Sequence, residues 1–85
     1  MIKRFSLYQT QACHLCELAE AVIAPYIQPL ELIVSHVDVA NDDALIDQYG
    51  TKIPVLLHQE SQYELAWPFD ESQLRVFLSD CLKSK

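Results

Sequence analysis

Leu15, Leu18, Ala19, Val22, Ile23, Tyr26 and Ile27 recur at the three-and-four spacing that lines one face of a helix, which makes Leu15 to Ile27 the most clearly periodic stretch of the chain. Pro25 falls inside that pattern. Because proline removes a backbone donor and clashes with the preceding turn, a kink or early end is expected there, with Pro29 closing the segment in either case. Ahead of this helix, Lys3 to Tyr8 is a short β-capable run that passes into the polar stretch Gln9-Thr10-Gln11, so strand and then loop are expected. Behind it, Leu30 to Val39 is rich in Leu, Ile and Val and reads as a largely buried strand. A brief helix follows, with Asn41 as its N-cap, Asp42 and Asp43 in its first turn, and Gly50 in the left-handed conformation that ends it at Tyr49. Pro54 to His58 and Tyr63 to Ala66, joined by the polar link Gln59-Glu60-Ser61-Gln62, read as an antiparallel hairpin. Asp70 or Ser72 then starts a last helix whose apolar stripe is Leu74, Phe77, Leu78, Cys81 and Leu82, with Lys83 and Lys85 complementing the negative end of its dipole.

The resulting order, β-α-β-α-β-β-α, predicts a small α/β sandwich around a four-stranded mixed sheet, with right-handed crossovers joining the first three strands. A chain of 85 residues has room for one such domain, spanning 1–85. Six Lys and Arg against twelve Asp and Glu give a net charge of −6, which repels phosphate backbones and anionic bilayers and excludes nucleic acid and membrane surfaces as expected partners. A single glycine leaves no phosphate-cradling loop, which needs several. No apolar stretch approaches the roughly 20 residues needed to span a bilayer, and the run after Lys3 and Arg4 is too short for a signal-peptide core. A cytoplasmic protein is expected, and there the three cysteines point to thiol chemistry, metal or packing rather than to structural disulfides.

Cys13-His14-Leu15-Cys16 falls between the first strand and the first helix. Side chains three residues apart on a helical turn are neighbours, so a disulfide between Cys13 and Cys16 needs only a small adjustment. A helix N-terminus also favours thiolate over thiol through its unsatisfied N–H groups and dipole, and each unit by which a pKa falls corresponds to about 1.4 kcal/mol. Cys13, the outer residue, is the candidate nucleophile, and Cys16, one turn inside, the candidate resolving thiol. His14 when protonated would favour the thiolate, whereas Glu17 and Glu20 oppose it. Two rival readings stay open: a metal-binding or metal-delivery module using Cys13 and Cys16 with His14 beside them, although zinc usually takes four ligands, and an interaction domain whose cysteines are idle.

Tyr8, the Cys-x-x-Cys turn, Val37-Asp38 at a strand end and Ile53-Pro54-Val55 before a hairpin resemble the glutaredoxins and the wider thioredoxin-like superfamily over nearly the whole chain. Cys-His-Leu-Cys together with Tyr49-Gly50, Ile53-Pro54-Val55 and Trp67-Pro68-Phe69 is similar to a group of short bacterial glutaredoxin-like proteins. The resemblance implies a thioredoxin-like fold and thiol–disulfide oxidoreductase activity. It further implies that Pro54 is cis and faces the cysteines, so that the backbone of Ile53 can pair with an extended substrate. No tightly bound cofactor is implied; the partner is a disulfide-containing protein or a small thiol, acted on by a monomer, with glutathione as a candidate reductant. The chain departs from the glutaredoxin pattern in having His14-Leu15 where Pro-Tyr is usual, no basic residue just upstream, and Trp67-Pro68-Phe69-Asp70 near the place of a Gly-Gly-x-x-Asp segment that holds glutathione. The reducing system therefore stays open between glutathione and a thioredoxin-reductase type partner.

Outside this constellation, Cys81 reads as core filler in the last helix. His36 and His58 read as ordinary strand histidines rather than ligands, and Trp67 as a cover for the core more than as the wall of a substrate groove.

Overall fold

The computed structural model of the chain describes residues 3–10, 13–50 and 52–83. Gln11, Lys85 and the side chain of Lys83, which enter the expectations above, lie outside the described residues. Strand β1 (Arg4–Gln9) leads to α1 (His14–Leu30), β2 (Ile33–Asp38), a 3-10 turn (Val39–Asn41), α2 (Asp43–Tyr49), β3 (Val55–His58), β4 (Glu64–Ala66) and α3 (Glu71–Lys83). This is the predicted order, and the strands form the predicted four-stranded mixed sheet in the sequence β2-β1-β3-β4.

Strands β1 and β2 are parallel, with Gln9 opposite Asp38, while β1 and β3 are antiparallel, with Tyr8 opposite Val55. The second expected crossover is thus absent: the connection from β2 through α2 joins strands of opposite sense, and the handedness rule governs only parallel ones. Alternation along the strands sends Phe5, Leu7 and Leu56 to one face, where Ala19 and Ile23 of α1 and Leu74, Phe77, Leu78 and Cys81 of α3 close the main core. Tyr8 and Val55 point to the other face and pack with Val39, Leu45, Tyr49 and Ile53.

Helix α1 runs through both Pro25 and Pro29 instead of ending early. Both prolines are exposed, so water can reach the backbone they leave unpaired, while Tyr26, Ile27 and Leu30 beyond Pro25 pack against the main core. Packing of those three side chains favours carrying the helix past Pro25, against the backbone donors that the two interior prolines remove. The helix stops at Glu31, which takes the left-handed conformation (φ 56°) and donates its N–H to the Gln28 carbonyl, while Leu32 N–H reaches Ile27. The buried line of α1 is Cys16, Ala19 and Ile23; Leu15 and Leu18, assigned to the stripe by spacing, are 45% and 41% exposed.

Strand β2 is an edge rather than a buried strand. Among the described residues only β1 pairs with it, Ile33, Ser35 and His36 are exposed, and the hydrophobic run reflects one covered face and the buried Leu32 before it. Asp42, not Asn41, caps α2, its carboxylate accepting from Ala44 and Leu45 N–H, because Asn41 is drawn into the 3-10 turn capped by Asp38. Gly50 follows Tyr49 as expected but in right-handed geometry (φ −53°). Glycine is needed there for space: a Cβ would collide with the Ile46 carbonyl that accepts the Gly50 N–H. Asp70, rather than Ser72, begins α3 through a reciprocal pair in which Gln73 N–H donates to the Asp70 carboxylate and Asp70 N–H to the Gln73 side chain, at 2.9 and 3.0 Å.

Candidate functional site

Cys13 is the N-cap of α1, in extended conformation, and its Sγ accepts the N–H of Cys16 at 3.1 Å. A thiol sulfur thus takes the place that Ser, Thr, Asp or Asn usually fills. Cys13 is half-buried, whereas Cys16, on the inward face, is only 3% exposed. The two are joined in a disulfide with Cα atoms 5.2 Å apart, inside the usual range for such a bond. Cys13 is therefore the sulfur that a second molecule reaches first, and Cys16 the one that reaches only Cys13.

The charges around the pair oppose one another. The 17-residue α1 directs the positive end of its dipole at Cys13, while Glu17 occupies the first turn. His14 Nδ1 lies 3.9 Å from Glu17 Oε1 with both side chains exposed, so the imidazole sits beside the carboxylate that counters the dipole. Leu15 stands out from the same turn as an exposed apolar side chain.

Ile53 and Pro54 open β3, and the antiparallel register of Tyr8 with Val55 puts them at the end of β1 from which the chain runs on to Cys13. The Ile53–Pro54 peptide bond is cis, as is Trp67–Pro68. Pro54 is buried and its carbonyl accepts Trp67 N–H at 2.9 Å. Ile53 is half-buried, and its N–H donates to the Tyr49 carbonyl at 3.1 Å.

Beneath this end of the sheet the rings of Tyr8 and Tyr49 stack with centroids 4.3 Å apart, and the Tyr49 hydroxyl donates to Glu64 at 2.5 Å. Burial, and then that hydrogen bond, push the Tyr49 hydroxyl well above the ordinary tyrosine range. Tyr49 is a supporting residue that the sequence analysis used as a helix end and, with Gly50, as part of the family resemblance, but did not place beside the site.

The remaining candidates have the following surroundings. His36 is on exposed β2 with Nε2 3.4 Å from Glu20 Oε2. His58 is buried, its Nδ1 2.6 Å from Ser61 Oγ and its ring 4.9 Å from that of Phe5. Trp67 packs against the main core and edge-on to Phe69. Cys81 is buried in the α3 stripe. Among the described residues no three His, Cys, Asp or Glu side chains are grouped to hold a metal ion, and no helix is long and apolar enough to cross a membrane.

Comparison with known proteins gives the geometry a context. The profile of the Glutaredoxin-like domain (DUF836) matches residues 4–79. No curated protein matches the chain. Among solved structures, the X-ray structure of the structural-genomics target protein XcR50 from X. campestris is 37% identical, covering 89% of this chain and 96% of its own, with a TM-score of 0.78. Protein Ne2328 from Nitrosomonas europaea (19% identity, 91% and 92% coverage, TM-score 0.77) and a mutant thioredoxin from Halobacterium salinarum (21%, 96% and 76%, TM-score 0.71) share the fold. The thioredoxin-like architecture is the one the family resemblance implied, and the match to the Glutaredoxin-like domain together with the cysteine pair at disulfide distance points to redox function. A match over so much of the sequence makes the chain a member of the glutaredoxin-like domain family.

Proposed function

We propose that the protein is a dithiol–disulfide oxidoreductase in which Cys13 is the nucleophile and Cys16 the resolving thiol. The observation that carries this reading is the asymmetry of the pair: Cys13 is accessible, caps α1 and accepts an N–H through its sulfur, while Cys16 is covered. In the reduced protein the same N–H and the helix dipole would favour a Cys13 thiolate. That thiolate attacks one sulfur of a substrate disulfide, forming the Cys13–substrate bond as the substrate S–S bond breaks, and the departing thiolate takes a proton from water. Cys16 then gives up its proton and attacks Cys13 Sγ, closing the intramolecular disulfide and releasing the second substrate thiol. The substrate gains two electrons, which the pair loses, and two protons, one from water and one matching that given up by Cys16. An external dithiol or two monothiols must return them, and glutathione is a candidate for that role.

Ile53 and Pro54 would shape the docking surface. Since the Ile53 N–H already bonds to Tyr49, an extended substrate would meet this residue through its carbonyl. The substrate class is a disulfide-bearing protein or a small-molecule disulfide, with no tightly bound cofactor.

Turnover of a dialkyl disulfide in a thiol-coupled assay provides the test. Cys13→Ser should lose at least about a thousandfold in rate. Cys16→Ser should accumulate a mixed disulfide on Cys13, seen as a mass increase removed by reductant. Full activity in Cys13→Ser would overturn the assignment.

A further inference from the structure

A groove of about 380 Å³ that disulfide exchange leaves unused runs along α1 from Glu17, the residue after Cys16, to Ile27 and is bounded by edge strand β2. Its floor is apolar, made by Leu7, Ile23, Ile27 and Val34. The space is open for a local reason: α1 turns Cys16, Ala19 and Ile23 toward the core, and toward β2 it presents the short side chains of Ala21 and Ala24. Three polar side chains edge the groove. Glu17, the residue after Cys16, stands with Glu20 on the α1 side, and His36 faces them from β2, its Nε2 3.4 Å from Glu20 Oε2. No Lys or Arg is among the described residues that line it, and the whole chain carries −6.

An aliphatic floor under a two-carboxylate rim selects by both polarity and sign. A segment bearing a Leu- or Val-like side chain beside Lys or Arg buries the first and pairs the second, whereas an anionic peptide meets like charge. Resting on the oxidoreductase reading for its purpose, we infer that this groove is a substrate subsite for an extended, basic segment of a disulfide-bearing protein, with an aliphatic side chain seated between α1 and β2 a few residues from the target cysteine.

The test separates binding from turnover. Two cysteine-free peptides, identical but for Leu-Lys-Lys or Leu-Glu-Glu at their centre, are titrated into the isotopically labelled oxidised protein. The lysine peptide should shift the amide resonances of Ala21, Ala24, Val34 and His36, with binding at least about tenfold tighter than the glutamate peptide at 0.01 M salt and little difference at 1 M, where the screening length has fallen from about 30 to about 3 Å. Glu20→Gln should reduce the preference about threefold, and Ala24→Trp, which fills the groove, should abolish the shifts at Val34 and His36 while its helical circular dichroism is kept. Disulfide-linked versions of the same peptides should show the same order in kcat/KM. Equal affinity for the two peptides, shifts confined to other faces, or a preference unaltered in both variants would overturn the subsite, even with a dialkyl disulfide turned over normally. Charge-selective binding in this groove without turnover of any disulfide would uphold the subsite and overturn the oxidoreductase reading instead.

Discussion

Cys13 and Cys81 carry the same side chain at opposite ends of the design. Cys13 ends a loop at the head of α1, half-exposed, with its sulfur facing a backbone N–H. Cys81 lies within the buried stripe of α3, where burial pushes its thiol up to about 11 against a hydrogen bond with Ser61 that acts in the other direction. One environment offers a backbone donor and access; the other is buried. On the proposed function, reactivity in this chain would follow helix position rather than residue type, since a buried free cysteine packs as a small apolar residue.

The contrast can be attacked at several strengths. Alkylation of the reduced protein with iodoacetamide at pH 7, followed by peptide mass spectrometry, should label Cys13 at least about a hundredfold faster than Cys81, since an ordinary thiol near 8.5 is ionised to about three parts in a hundred and one near 11 to about one in ten thousand. Comparable rates would erase the distinction. A smaller effect concerns stability against pH. The folded value of Cys81 is raised from 9.0 to about 11, so below pH 9 the group costs nothing, and between 9 and about 11 the unfolded chain releases a proton that the folded chain keeps. Stability should fall across that window by about 1–2 kcal/mol more in wild type than in Cys81→Ala, measured by urea unfolding of both at each pH. Parallel curves would mean that the Cys81 environment does not hold the proton.

The smallest effect compares the caps of α1 and α3. Asp70→Ala should cost about 1 kcal/mol by removing the carboxylate that holds Gln73 N–H. Cys13→Ala in the reduced protein should cost less than about half of that, because a thiol sulfur is a weak acceptor. Equal losses would show that the α1 cap is structural rather than a place kept for chemistry.

The site was more legible in the residues than the details of the fold around it. Cys13 and Cys16 declare themselves because spacing, loop position and a following helix are local properties, and the order of elements followed from periodicities that the structure retains. Edge against interior was not legible, since Leu30 to Val39 looks alike whether one or two strands flank it, and pairing is a long-range fact. The exposure of Leu15 and Leu18 was hidden for a related reason: spacing defines a stripe about 100° wide, and only contact with β1 and α3 selects which part of it is covered. Helix ends misled where the residue did something other than its usual task. With one glycine in the chain, the left-handed position after α1 falls to Glu31, while Gly50 serves a close approach to the Ile46 carbonyl.

The two prolines of α1 set how that helix comes into being. A synthetic peptide of His14 to Leu30, with nothing to dock against, would hold helical order only up to the neighbourhood of Ala24, because Pro25 and Pro29 bring no amide to continue it. The final turn and a half is thus assembled by the rest of the molecule, and the rod that carries Cys13 at its head gains its full length only once α3 and the sheet are there to receive it.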